Sequence, residues 1–312
     1  MNNQTKKKRH ILVTGCPRSG TTFLGKVLSF PTEVGYIREP FNRDFGLDDL
    51  EYEFPYMHRG MQKEQAYRDM VEALLSRKAN FKSLPPSGAN NLKQSVGRML
   101  FGSGSNYSYI KSAANPLVQR YLFKDPMASL GSEYLHREYD FDVVVIMRKP
   151  LPTIASMRRL GLVHSLEELA GQEKLRESFL PEEVLQHLGK DLTLLERQAL
   201  LWTAINAVLQ AFVERNPRFI VVQHHALATR PVRELSKLYK RLDLAFTPAI
   251  KAKVEQYTSS KNVSTITSDK MHILKRNSRA IADVQPGVFT QDEQQRVHEL
   301  TDRVASTIFG GV

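Results

Sequence analysis

The feature that most constrains this chain is an apolar run, Ile11-Leu12-Val13, that leads into Gly15-Cys16-Pro17-Arg18-Ser19-Gly20-Thr21-Thr22 and then into a helical pattern near Thr21 to Ser29. Strand, glycine-framed turn and helix together form the layout of a phosphate-binding loop. Glycines let backbone amides turn toward an anion, and the helix start adds free N–H groups and the positive end of its dipole. The spacing Gly-x4-Gly is that of the nucleoside triphosphatase loop, but the lysine that should follow is Thr21 and the loop's cation is Arg18. The bland alternative is an ordinary glycine-rich turn; the strand and helix on either side weigh against it.

The rest of the chain repeats the strand-then-helix rhythm. Val34 to Ile37, Tyr121-Leu122-Phe123, Val143 to Met147 and Phe219 to Val222 read as further strands. The run Val143-Val144-Val145-Ile146-Met147 is unbroken and β-branched, as suits a strand buried on both faces of a parallel sheet. Leu192, Leu195, Ala199, Trp202, Ile205, Leu209 and Phe212 recur at steps of three and four, the stripe of a core-facing helix. Alternation of this kind predicts an α/β fold: a P-loop-type, doubly wound parallel sheet flanked by helices, in one domain spanning residues 1–312. Two stretches break the rhythm. Residues 46–115, with Gly102-Ser103-Gly104-Ser105-Asn106, read as a partly mobile helical and loop cap inserted over the sheet. Residues 258–290 read as a long ordered loop before a last helix near Gln291 to Thr307.

Among the 312 residues, 44 Lys and Arg against 33 Asp and Glu leave a formal charge of +11. The run Lys6-Lys7-Lys8-Arg9, read as a solvated tail, holds only four of the cations, so the body itself is basic and suits an anionic partner. The single cysteine, Cys16, excludes an internal disulfide and a cysteine-based zinc site. It sits within the loop, where packing is the simplest role. No apolar stretch reaches the length of a signal sequence core or a membrane span, so a cytoplasmic location is expected.

A second anion site is expected at the buried strand. Where a nucleoside triphosphatase often ends such a strand in a magnesium-binding Asp, this one ends Ile146-Met147-Arg148. Ser156 lies eight positions on, within a helix that Pro150 and Pro152 help to open. A ligand touching both loops would carry phosphates at two separated points. With these residues in hand, Pro17-Arg18-Ser19-Gly20-Thr21-Thr22-Phe23-Leu24 resembles the 5′-phosphosulfate loop of the sulfotransferases that use 3′-phosphoadenosine 5′-phosphosulfate (PAPS), and Arg148 with Ser156 resembles their 3′-phosphate pair. Lys124-Asp125-Pro126 is similar to the Lys-x-Pro of carbohydrate sulfotransferases. Gln223-His224-His225-Ala226-Leu227 sits where many members read Tyr-Glu-Asp-Leu, and Lys275-Arg276-Asn277-Ser278-Arg279 resembles the late segment that covers the nucleotide. An arginine at position 18, where many eukaryotic members have lysine, is often seen in bacterial relatives.

The resemblance implies PAPS as donor, no required metal and a polar acceptor, with a saccharide favoured by the basic body. Cofactor binding is then expected of Arg18, Ser19, Gly20, Thr21, Thr22, Arg148, Ser156, Arg276 and Ser278. Sulfuryl transfer needs an acceptor oxygen stripped of its proton and cations around the moving group. Glu39, in Arg38-Glu39-Pro40 and 21 residues after Arg18, is the candidate general base; Arg18 and Lys124 are the candidate catalytic cations. Plainer roles are a strand-end ion pair for Glu39 with Arg38 or Arg43, and for Lys124 a stem lying over the sheet with a solvated head. His224 and His225, adjacent at a strand end, point to opposite sides and are not expected to share a metal; Trp202 falls on the core stripe. Two other functions compete. A small-molecule or nucleotide kinase is disfavoured by Thr21 and Arg148. A basic nucleic-acid-binding module has the charge, but no zinc finger, RNP-type aromatic motif or basic amphipathic helix is found, so no nucleic-acid partner is expected.

Overall fold

The computed structural model describes residues 8–85, 92–263, 274–275, 277–280, 282 and 287–310. In chain order the elements are β1 (Ile11–Thr14), α1 (Thr21–Leu28), β2 (Val34–Arg38), α2 (Glu64–Leu75), α3 (Leu92–Phe101), α4 (Gly104–Ala113), β3 (Arg120–Lys124), α5 (Ser132–Tyr139) and β4 (Asp142–Met147). There follow α6 (Pro150–Arg159), α7 (Leu166–Ala170), α8 (Glu173–Ser178), α9 (Glu182–Leu185), α10 (Leu194–Arg215), β5 (Ile220–Gln223), α11 (His224–Thr229), α12 (Pro231–Arg241), α13 (Pro248–Thr258) and α14 (Gln291–Phe309). The five strands form one sheet in the order β2-β3-β1-β4-β5, so the chain winds to one side of β1 and then to the other. This is the parallel α/β sheet flanked by helices that the alternation predicts. The residues form two compact units, one built from residues up to Thr14 with Gly25–Val144, the other from Gly15–Leu24 with Val145 onward.

In the first unit β3 is flanked by two parallel partners. Lys124, its last residue, is level with Val13 on β1 and with Arg38 on β2. The start of β3 is tied by charge: buried Arg120 donates to Asp142 at 2.9 Å, and Arg9 reaches the other oxygen of that carboxylate at 2.7 Å. The edge strand β2 is covered by α4. Ser108 Oγ accepts the Arg38 N–H at 2.9 Å, and the Ser112 hydroxyl donates to the Tyr36 carbonyl at 2.9 Å. Two serines one helical turn apart thus satisfy backbone groups two residues apart on the strand, which blunts an edge that could otherwise pair with another chain. The Gly/Ser-rich stretch within the cap leads into this helix. Gly102 takes a left-handed φ of 68°, and Ser103 caps α4 by accepting the Asn106 N–H at 3.1 Å.

In the second unit the long α10 packs against α6 and α14. Its start carries a capping box in which the Thr193 hydroxyl and the Glu196 carboxylate each serve the other's backbone N–H. Trp202 lies fully buried, as the stripe predicts. Among the described residues, no helix is long and apolar enough to cross a membrane. Replacing Ser108 by Ala removes the acceptor of the Arg38 N–H and should lower unfolding free energy by about 1–2 kcal/mol, read as an earlier denaturation midpoint. An unchanged midpoint would mean that the helix is not what satisfies the edge.

Candidate functional site

The loop of the second unit is shaped by two glycines that nothing else could replace. At Gly15, φ is 151° and an added Cβ would lie 2.3 Å from the Ile146 carbonyl oxygen. At Gly20, φ is 106° and a Cβ would lie 3.0 Å from the His224 ring. Arg18 between them also takes positive φ, 70°, a conformation worth about 1–3 kcal/mol of strain for a residue with a side chain. The Ser19 N–H donates to the Cys16 carbonyl at 3.0 Å and closes the turn. Ser19 is buried, and its hydroxyl has no hydrogen-bond partner among the described residues. A buried hydroxyl without a partner at this turn has room in its hydrogen bonding for an anion held by the loop.

Two sites that the sequence keeps apart are joined here. Arg18 Nε donates to Ser156 Oγ at 3.2 Å, so the loop cation reaches toward the second anion site, and Arg148 Nη1 donates to the Arg18 carbonyl at 3.1 Å. The Arg148 carbonyl is held in turn by the Trp202 indole N–H at 3.0 Å. Trp202 is therefore a core residue that also fixes an arginine of the site. Its polar role needs the partner's position and has no local signature in the sequence. Cys16 is packed against Asn206, and burial pushes its thiol far up, which agrees with a packing role.

His224 stands differently from the reading at a strand end. β5 stops at Gln223 and the two histidines open α11, with His224 buried and His225 exposed. Burial, with the charge of Arg148 and then His225, holds the His224 imidazole well below its ordinary range, so it is neutral at pH 7. Among the described residues, no group of three or more His, Cys, Asp or Glu could hold a metal. The Ser278 hydroxyl donates to the Ala228 carbonyl at 2.7 Å and ties the late segment to the end of α11. Arg276 lies outside the described residues.

The first unit carries a second cluster at the ends of β2 and β3. Lys124 is only 1% exposed, and its ammonium meets the Glu39 carboxylate. The solvated lysine head is thus not what forms. The Glu39 N–H donates to the Lys124 carbonyl at 2.8 Å, so the two residues clasp one another through backbone and side chain. Glu39 takes a left-handed φ of 43°, and Asn42 Nδ2 approaches its other oxygen at 3.3 Å. Burial pulls the Lys124 ammonium below its usual range, against the charge of Glu39. Asp125 completes the group. Its fully buried carboxylate accepts the Phe41 N–H at 2.6 Å and the Met127 N–H at 2.9 Å, and so staples the turn after Glu39 to the turn after Lys124. Sequence reasoning gave Asp125 no role; an acid between a strand-end lysine and a proline was the available signal.

The model of a protein family described as the sulfotransferase family matches residues 10–248. The chain belongs to the sulfotransferase family. Among solved structures, this sulfotransferase is similar to a sulfotransferase domain from the curacin biosynthetic pathway, at 16% identity and a TM-score of 0.47, covering 94% of this chain and 98% of that one. It is similar also to sulfotransferase STF9 from Mycobacterium avium, at 12% identity and a TM-score of 0.44 over 95% of this chain and 76% of that one. Mouse sulfotransferase SULT7A1, solved in complex with PAP, is 11% identical with a TM-score of 0.44 over 97% and 86% of the two chains. Comparison with curated proteins finds no match.

A pH dependence follows from Asp125. Burial first, then the like charge of Glu39, raises its carboxyl from 3.8 to about 7, against the pull of the two amides and Lys124. The folded state then binds more protons than the unfolded one between those values, so stability falls as pH rises through the window and stays lowered above it. Asp125→Asn should flatten that slope. It should also lower stability by about 1–3 kcal/mol, since an amide oxygen cannot serve both backbone N–H groups at the old positions. Denaturant titrations across the window check both.

Proposed function

We propose that this sulfotransferase moves the sulfuryl group of PAPS to a hydroxyl of a saccharide, with no metal required. The observation that carries the reading is the chain of bonds Arg148 to Arg18 to Ser156 beneath a glycine-framed loop. Two guanidinium groups serve one small region, while the kinase signals, a lysine at position 21 and an acid at the end of β4, are replaced by Thr21 and Arg148. The residues fit a phosphosulfate: the Ser19 hydroxyl is buried without a partner among the described residues, and Gly15 and Gly20 hold the loop in positive-φ turns that a side chain would not allow. PAPS supplies the activated sulfuryl group on a phosphate that can leave.

On this chain, the amides and hydroxyls of Ser19, Gly20, Thr21 and Thr22 would hold the anionic end, and Arg148 with Ser156 the 3′-phosphate. Arg276 and Ser278 would cover the nucleotide. Arg18, whose carbonyl and side chain link both regions, stabilises the negative charge that grows on the leaving phosphate. Glu39 takes the proton of the acceptor hydroxyl. The Lys124 ammonium meets that carboxylate and fixes its rotamer, and is the candidate cation for the transferred group. Asp125 acts through these two as a positioning residue. The basic body and the Glu39–Lys124 pair favour a polar, hydroxyl-rich acceptor, and a single packed cysteine is at home in the cytoplasm.

Transfer of radiolabelled sulfate from PAPS, with a chelator present, to panels of saccharides, phenols and amines tests the reading. Label should pass to a saccharide, and Glu39→Gln should lose about a hundredfold or more in turnover while still binding the donor. Transfer to phenols alone would reject the acceptor class. Full activity of Glu39→Gln would place the base elsewhere.

A further inference from the structure

The helix that covers the edge strand, α4, is inverted in character, and α3 packs beside it. On α4 the inward face is polar: Ser105, Ser112 and Tyr109 are buried there, and the Ser108 and Ser112 hydroxyls serve backbone groups of β2. The outward face carries Tyr107, 47% exposed, and Ile110, 42% exposed. On α3, Val96, Met99 and Leu100 stand at the i, i+3, i+4 spacing of one helical face, and Met99 and Leu100 are 71% and 67% exposed. Phe101 at the end of α3 meets the Tyr107 ring edge-on at 4.9 Å, which joins the two helices' apolar residues. Single exposed apolar residues are ordinary, and Leu117, Val163 and Val263 are examples elsewhere; five on two neighbouring helices mark a contact surface.

The charge of the same segment says what the contact is. From Ala73 to Lys124 the sequence contains eight lysines and arginines and not one aspartate or glutamate. Two of these cations are buried in ion pairs, Arg120 with Asp142 and Lys124 with Glu39. The other six are Arg77, Lys78, Lys82, Lys93, Arg98 and Lys111, with Arg77, Lys78 and Lys111 exposed. We infer that α3 and α4 form a docking face for an anionic lipid bilayer, with the apolar side chains entering the headgroup boundary and the cations meeting lipid phosphates. Each part of the surface then has a partner. A nucleic acid would answer the cations but leave Met99, Leu100 and Ile110 without gain. A second copy would set this acid-free basic segment against itself.

Co-sedimentation of the full chain with vesicles decides the matter. Vesicles of phosphatidylcholine mixed with phosphatidylglycerol should bind about tenfold or more tighter than pure phosphatidylcholine. Met99→Glu with Leu100→Glu should lose about tenfold or more of that binding, and so should Lys78→Glu with Lys111→Glu, both with the parent's circular dichroism and melting midpoint. These positions are exposed, so the fold has no stake in them. No preference for the anionic vesicles would overturn the inference. Binding that survives both variants and is lost only when Lys6 to Arg9 are neutralised would overturn it too. So would a concentration-dependent dimer broken by Met99→Glu, which would assign the face to a second copy. DNA binding weakened by Lys78→Glu, with vesicle binding absent, would assign it to nucleic acid.

Discussion

The structure of the loop unit depends on how two arginines are held. Arg148 ends the buried strand β4, and its guanidinium donates to the carbonyl of Arg18, whose own side chain donates to Ser156. Neither arginine can drift, because the Arg148 carbonyl is fixed by Trp202 from the core of α10 and Arg18 sits in a left-handed turn closed by Ser19. The two guanidinium groups are thereby held by one short chain of bonds, and an anion bound at the loop would meet cations rather than a metal-binding acid. The glycines then follow as necessities, since a side chain at Gly15 would strike the Ile146 carbonyl.

The cluster of the other unit obeys a different constraint. Glu39 is held at positive φ, a strained position that persists only where surrounding bonds over-determine it. Here the bonds are the Lys124 carbonyl on its N–H, the Lys124 ammonium on its carboxylate, and the Asp125 staple on Phe41 two residues later. A carboxylate fixed in this way presents the same oxygens to every acceptor, which suits a proton-taking role. Its ionic partner is fixed as well, since Lys124 is the end of a strand paired on both sides.

What could be read from the sequence was what is local. The strand–loop–helix at Ile11 to Leu28, the β-branched run of β4, the stripe of α10 and the eight-residue step from Arg148 to Ser156 each carry their signal within a short window. The contacts that finish the site are distant in sequence and leave no such trace: Trp202 on Arg148, Asp125 on Phe41, Ser108 on Arg38. Gly102 to Asn106 is ambiguous in sequence because the same small residues make both linkers and helix caps. What separates them is the Ser103 bond to Asn106, which composition does not contain. The strand end at His224 was misread for a related reason, since β5 yields to α11 without a Pro or Gly to mark the change.

The central claim is that the loop and Arg148 form one site for a nucleotide with phosphates at two points, bound without magnesium. Calorimetric titration with adenosine 3′,5′-bisphosphate in the absence of metal, beside ATP with magnesium, tests it most directly. The account predicts tight, metal-independent binding of the bisphosphate and weak binding of ATP. Preference for ATP with magnesium would contradict it and make the chain's loop that of a kinase.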